Sequence, residues 1–155
     1  MGRLRAPKSL VPLLLALWAG FIFFTSCFFI ERSDFIRFVS KYLPAGLIRS
    51  EWADLWLGAG LVIVKAYHAT EYLVLFSLVF LTLERVGRPS TRWRLMLTFI
   101  LGFLFAASDE WHQTFVDGRG GTVVDVGIDT IGLVVALVLF TLRQRWQMAK
   151  TDKVH

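Results

Sequence analysis

The chain has 155 residues, is 55% hydrophobic and 15% aromatic, and carries a formal net charge of +5. That is one domain's length, but too apolar for a soluble domain of this size, so the composition points to an integral membrane protein. Its basic residues cluster in three short segments beside apolar runs and form no stripe with stacking aromatics, which argues against nucleic acid as a partner, and the lone Cys27 excludes an internal disulfide.

Arg3, Arg5 and Lys8 precede an apolar run over about residues 10–30, long enough for a bilayer-spanning helix at roughly 1.5 Å per residue. A signal peptide has a shorter apolar core and a small-x-small cleavage site, which Ala16-Leu17-Trp18-Ala19 does not supply, so the segment reads as an uncleaved anchor. Phe24-Thr25-Ser26-Cys27 faintly resembles a lipoprotein acylation box. Because Phe28, Phe29 and Ile30 follow it, a buried structural cysteine is the preferred reading.

From about residue 31 to 57 the chain is amphipathic. Ser33 is a candidate N-cap, Phe35, Phe38 and Tyr42 follow at helical spacing, and Pro44 ends the pattern. The segment is expected to lie along the outer membrane surface. Trp52 and Trp56, four apart on a following short helix, fit either an interfacial aromatic belt or packing against the bundle.

A second apolar segment spans about residues 58–83, and Lys65, His68, Glu71 and Tyr72 interrupt its first half. Residues 65, 68 and 72 share a helical stripe with Glu71 beside it, so this polar face must turn inward, away from lipid. The next connection holds Arg85, Arg88, Arg92 and Arg94, with Gly87 and Pro89 as breakers. A third segment covers about 95–115, the turn Asp117-Gly118-Arg119-Gly120-Gly121 follows, and a fourth segment covers about 123–142 before a basic tail. With N-terminus, middle loop and tail all basic, the positive-inside rule predicts four membrane helices with both termini cytoplasmic. The expected fold is therefore all-α: a single-domain integral membrane four-helix bundle with an amphipathic helical extracytoplasmic connection between its first two helices.

The most informative stretch is 107–132, which puts five acids, His112 and Arg119 between two apolar runs. An ionisable group at membrane depth costs several kcal/mol to desolvate, so these groups need partners or a task. His68, Asp109 and Asp129 each lie about 6 to 10 residues inside the outer end of their helices, roughly 9 to 15 Å deep, and can meet in one pocket. Asp109, His112 and Gln113 share a face with Glu110 beside it, while Asp125, Asp129, Gly132 and Ala136 form a stripe that is polar above and small below, suited to close helix contact.

Carboxylates beside histidine can bind a divalent metal, with His68, Asp109, His112, Asp125 and Asp129 as candidate ligands, or they can divide the roles of general acid and base. Asp109, Glu110, His112 and Asp129 are the candidates for catalysis. Lys65, His68, Glu71, Tyr72, Gln113, Arg119 and Asp125 are the candidates for binding. The competing reading is purely structural, with Arg119 or Lys65 neutralising Asp125, Asp129 or Glu71 and the network only fixing the bundle. No zinc-protease His-Glu-x-x-His, Gly-x-Ser-x-Gly elbow or phosphate-loop context is present.

At Lys65-x-x-His68-x-x-Glu71-Tyr72, Ser108-Asp109-Glu110-x-His112-Gln113-x-Phe115, Gly118-Arg119 and Asp125-Val126-x-x-Asp129-x-x-Gly132 the sequence resembles the VanZ-like family. The resemblance covers about residues 58–142; the Gly120-Gly121 pair departs from the single glycine of the family pattern. It implies a four-helix protein of the bacterial cytoplasmic membrane that affects susceptibility to glycopeptides such as teicoplanin. Two functions follow as expectations. The first is a binding protein whose outer pocket holds an envelope or lipid head-group component. The second is an intramembrane enzyme acting on a lipid-linked envelope substrate, with a divalent metal as a possible cofactor and Arg119 as a phosphate clamp. An ion-coupled carrier is disfavoured because no discontinuous-helix pattern appears.

Overall fold

The computed structural model describes residues 9–27, 41–42, 50–87 and 90–151. These residues form an all-helical structure of four long helices with no strand among them: α1 (Leu10–Ser26), α2 (Ser50–Val86), α3 (Thr91–Gln113) and α4 (Val123–Thr151). The basic N-terminal segment, Ser33 and Pro44 lie outside the described residues, as do the side chains of Trp52 and Trp56.

Two helices run well past their apolar cores. The short helix expected to carry Trp52 and Trp56 is instead the first part of α2, which continues without a break from Ser50, and α4 runs on to Thr151 rather than ending near 142. The physical reason is the same at both ends. Residues 50–57 and 143–150 contain neither proline nor glycine, and residues 143–150 in particular are mostly strong helix formers, so helical propensity outlasts hydropathy.

The contact pattern fixes the topology. Tyr72 of α2 packs near Phe105 of α3, and Arg94 stands over the Phe80 ring, so α2 and α3 are antiparallel. Lys65 meets Asp125 and Phe80 meets Phe140, so α2 and α4 run parallel. This parallel pair makes the most extensive contact in the structure, whereas α1 touches α3 only lightly. Small residues allow it: Gly132 lies so close to the backbone of Ala69 that a side chain there would overlap the Ala69 carbonyl, and Ala136 below it is buried. The predicted stripe of Asp129, Gly132 and Ala136 is thus a real helix interface.

Along the bundle axis the interior changes character. Ile22, Tyr72, Leu75, Phe76, Phe80, Ala106, Leu133 and Ala136 form a continuous apolar core. At the end where α1 and α3 finish and α4 starts, the interior becomes polar, with Ser26, Glu71, Asp109, Glu110, Gln113 and Asp129 buried. The exterior is the reverse. Leu13, Leu17, Val62, Ile63, Leu101, Leu104, Val138 and Leu139 all point outward.

Candidate functional site

The polar end is assembled from all four helices and the turn between α3 and α4. Gly118 adopts a positive φ of 78°, a left-handed conformation that costs glycine little, and this bend returns Arg119 toward the end of α1. There the Arg119 guanidinium donates to the carbonyls of Ser26 at 2.7 Å and Thr25 at 3.2 Å. These carbonyls belong to the last turn of α1, which lacks further helical donors, so a cation is the fitting cap.

The start of α4 is fixed by Thr122, whose hydroxyl accepts from the Asp125 backbone N–H at 3.1 Å and donates to the Asp125 carboxylate at 2.7 Å. In a usual capping box the third residue of the helix would also take the N-cap N–H. Here the Thr122 N–H donates to Glu110 Oε2 at 3.1 Å instead, tying α3 to α4. Gly121 makes this possible by lying directly against the Glu110 carbonyl, where no side chain fits.

Behind this turn, Asp109 is held by two donors. The Ser26 hydroxyl donates to its Oδ2 at 2.7 Å and Gln113 Nε2 donates to the same oxygen at 3.0 Å. Next to it on α2, His68 Nδ1 sits 3.6 Å from Glu71 Oε2 and 3.7 Å from Asp129 Oδ1, so one imidazole is shared by two buried carboxylates. The Trp18 indole donates to the Glu71 carbonyl at 3.0 Å, and the Thr25 hydroxyl lies 3.4 Å from Glu71 Oε1. Lys65 pairs with Asp125 at 3.2 Å at the rim, where both are substantially exposed.

A cleft of about 280 Å³ opens over this network, lined by Lys65, His68, Glu110, Gln113, Arg119, Asp125 and Asp129 together with apolar Val64 and Ile128. Asp129 occupies its floor, 1% exposed, with both carboxylate oxygens buried and without a hydrogen-bond partner.

Not every sequence candidate lies on the cleft. Tyr72 is fully buried in the apolar core, its hydroxyl without a partner, because it stands about 100° around the helix from Glu71. His112 does not line the cleft, and its ring packs at a tilt against Phe23 of α1, centroids 4.6 Å apart. Asp109 and Glu71 support the cleft from behind. Cys27 is partly buried rather than fully so, and is free. Among the described residues, Arg119 donates to the α1 carbonyls rather than to the carboxylates it was expected to neutralise, and only Asp125 has a lysine partner.

Among the described residues, no three His, Cys, Asp or Glu side chains come together as a metal-holding group. His68, Asp129 and Asp125 share the cleft, but Asp109 and His112 point elsewhere, so the five-residue ligand set expected from sequence is divided and no chemical step is derived through a metal. Sequence reasoning missed Trp18, Thr25, Ser26 and Thr122. The Thr25-Ser26 pair closing an apolar run was the available signal for α1, and Thr122-x-x-Asp125 was the signal for the cap.

The arrangement can therefore orient a polar group by charge and hydrogen bonding within an otherwise apolar bundle. No curated protein and no solved structure matches the chain. The family described as VanZ/LLP1 matches residues 11–144, which extends the resemblance read between residues 58 and 142 to include α1 and its contribution to the polar end. With nearly its whole length matched, the chain belongs to the VanZ/LLP1 family.

Proposed function

We propose that this protein is a multi-pass protein of the bacterial cytoplasmic membrane whose four helices cross the bilayer, with both termini cytoplasmic and the cleft opening on the outer side. The cleft holds the polar head group of an envelope component, and occupancy there lowers susceptibility to glycopeptides such as teicoplanin.

The membrane reading is supported by the apolar exterior. Val62–Val86 and Val123–Lys150 are long and apolar enough to span, yet only 28% and 22% of their most apolar windows are buried within the protein, too little for core helices of a soluble domain. α3 contributes independently. Its exposed Trp93 and Trp111 are five helical turns apart on one face, about 27 Å at helical rise, close to the thickness of a hydrocarbon core with an aromatic at each interface. α3 has lower overall hydropathy because Asp109, Glu110 and Gln113 count against it, and all three face inward.

The observation that carries the binding reading is Asp129. A buried carboxylate with neither oxygen hydrogen-bonded is costly, by several kcal/mol before compensation, and Asp129 lines the cleft, so a ligand settling there would meet it with a small shift of the lining.

The test combines folding with phenotype. Wild type and the variants Asp109→Asn, Glu110→Gln and Asp129→Asn are expressed in a teicoplanin-susceptible bacterium, with membrane abundance and detergent thermal stability measured beside susceptibility. Wild type is expected to raise the inhibitory concentration. Asp129→Asn is expected to fold normally and lose that effect. Retention of the full effect by all three folded variants would exclude the cleft as the working site, and uniform unfolding would make the network a scaffold.

A further inference from the structure

We infer that the cleft selects a zwitterionic head group, a primary ammonium beside a phosphate, with the ammonium seated on Asp129 and the phosphate between Lys65 and Arg119. This names the ligand class for the binding reading above and rests on it.

Charge balance comes first. Lys65 and Asp125 pair at the rim and cancel. That leaves Glu71, Asp109, Glu110 and Asp129, all buried, with His68 and Arg119 as the basic groups beside them among the described residues. His68 is shared between Glu71 and Asp129, so even a fully charged imidazole neutralises only one of them. Among the described residues, carboxyl groups at this end of the bundle thus outnumber basic groups.

Hydrogen bonding points the same way. Both oxygens of Asp129 are buried acceptors without a donor, and Oε2 of Glu71, behind the cleft, is another. What Asp129 lacks is a compact group with N–H donors and a positive charge. A primary ammonium supplies three such donors, whereas a quaternary ammonium supplies none. A divalent cation is a poorer match, since no trio of ligating side chains is present among the described residues.

The rim has the opposite character. Lys65 and Arg119 both line the cleft, and the bonds Arg119 makes to the α1 carbonyls use only one of its two terminal nitrogens. A phosphate placed there would be met by the rest of the guanidinium fork and by the Lys65 ammonium, which can leave Asp125 at little cost because the pair is substantially exposed. Gln113, whose amide nitrogen is engaged by Asp109, also lines the cleft. An anion alone would leave Asp129 unpaired, and a cation alone would make no use of the second terminal nitrogen of Arg119.

The test uses the full chain. In detergent, thermal stabilisation is measured with phosphoethanolamine, phosphocholine, ethanolamine and inorganic phosphate. In nanodiscs, co-purifying and exchangeable lipid is compared for phosphatidylethanolamine and phosphatidylcholine, each mixed with the same anionic lipid. Phosphoethanolamine is expected to bind at least ten-fold more tightly than phosphocholine or either half alone. Asp129→Asn is expected to erase that preference, and the wild-type series stands without this variant should it fail to fold. Stabilisation in detergent without nanodisc preference would assign the zwitterion to a soluble envelope fragment, and preference in both would assign it to lipid. Equal binding of phosphocholine or phosphate, or an unchanged preference in folded Asp129→Asn, overturns the inference. In that event the effect of wild type on teicoplanin susceptibility, measured separately, would still decide whether the cleft binds some other envelope group.

Discussion

Gly132 of α4, one turn below Asp129, rests against the backbone carbonyl of Ala69 in α2, the residue next to His68. The position that lets the two parallel helices touch is therefore the position that brings the histidine and the carboxylate within 3.7 Å. Close packing and site geometry are one property of this pair.

Replacing Gly132 by alanine should force the helices apart and cost about 1–3 kcal/mol, as overpacking of a filled interface does. Gly127, five residues earlier on the same helix, has open space where a side chain would go. Gly127→Ala is expected to be neutral or slightly stabilising. Detergent thermal melts of both variants check the contrast, and equal losses would mean that the α2–α4 contact is not as close as described.

Ser26 is expected to matter for stability and not for binding. Its hydroxyl donates to Asp109 at the buried end of α1. Ser26→Ala leaves that carboxylate with Gln113 as its remaining donor and should cost about 1–3 kcal/mol. A double-mutant cycle with Asp109→Asn should show coupling well above measurement error. Additive losses would place the two residues in separate networks.

The Lys65–Asp125 pair should contribute little to folding. With side chains 47% and 38% exposed, it falls among pairs worth about 0–1 kcal/mol. Lys65→Gln should melt within that range of wild type while weakening anion-dependent stabilisation. A large loss of stability would move Lys65 from the rim of the site into its frame.

Topology is checked in a Cys27→Ser background, where Cys27 no longer reacts. Asp117→Cys, in the turn between α3 and α4, is expected to label from the extracytoplasmic side of intact cells with an impermeant reagent. A residue-150 cysteine, Lys150→Cys, should label only after permeabilisation. The opposite pattern would invert the protein and place the cleft inside the cell.

Much of this architecture is legible in the sequence because its two strongest signals are long apolar runs and the polar residues that break them. The existence of four helices follows from the first. The polar end follows from the second, since Lys65, His68, Asp125 and Asp129 recur at spacings that put each set on one helical face. Helix ends are less legible, because hydropathy stops at residue 142 while helical propensity carries α4 to Thr151. Neighbouring positions are also hard to separate: His112 and Gln113 flank the direction of Asp109 by roughly 60° and 40°, and only packing decides that one meets Phe23 and the other the cleft. Thr25 and Ser26 escape notice for a different reason. Their hydroxyls are common in apolar helices, where they bond back to the preceding turn, as Thr25 does to Ile22, and nothing local reveals a partner more than 80 residues away.

The bond between Arg119 and the end of α1 also sets an order of assembly. The two partners are 93 residues apart in the chain. At roughly 5–20 residues per second of synthesis, about 5–20 s pass between the emergence of Ser26 and that of Arg119. Throughout that interval the last carbonyls of the first helix lack the Arg119 guanidinium, and its docking onto α2 rests on Trp18, Thr25 and apolar packing. Chains released before residue 119 would carry a first helix whose C-terminal end is not latched to the turn between α3 and α4.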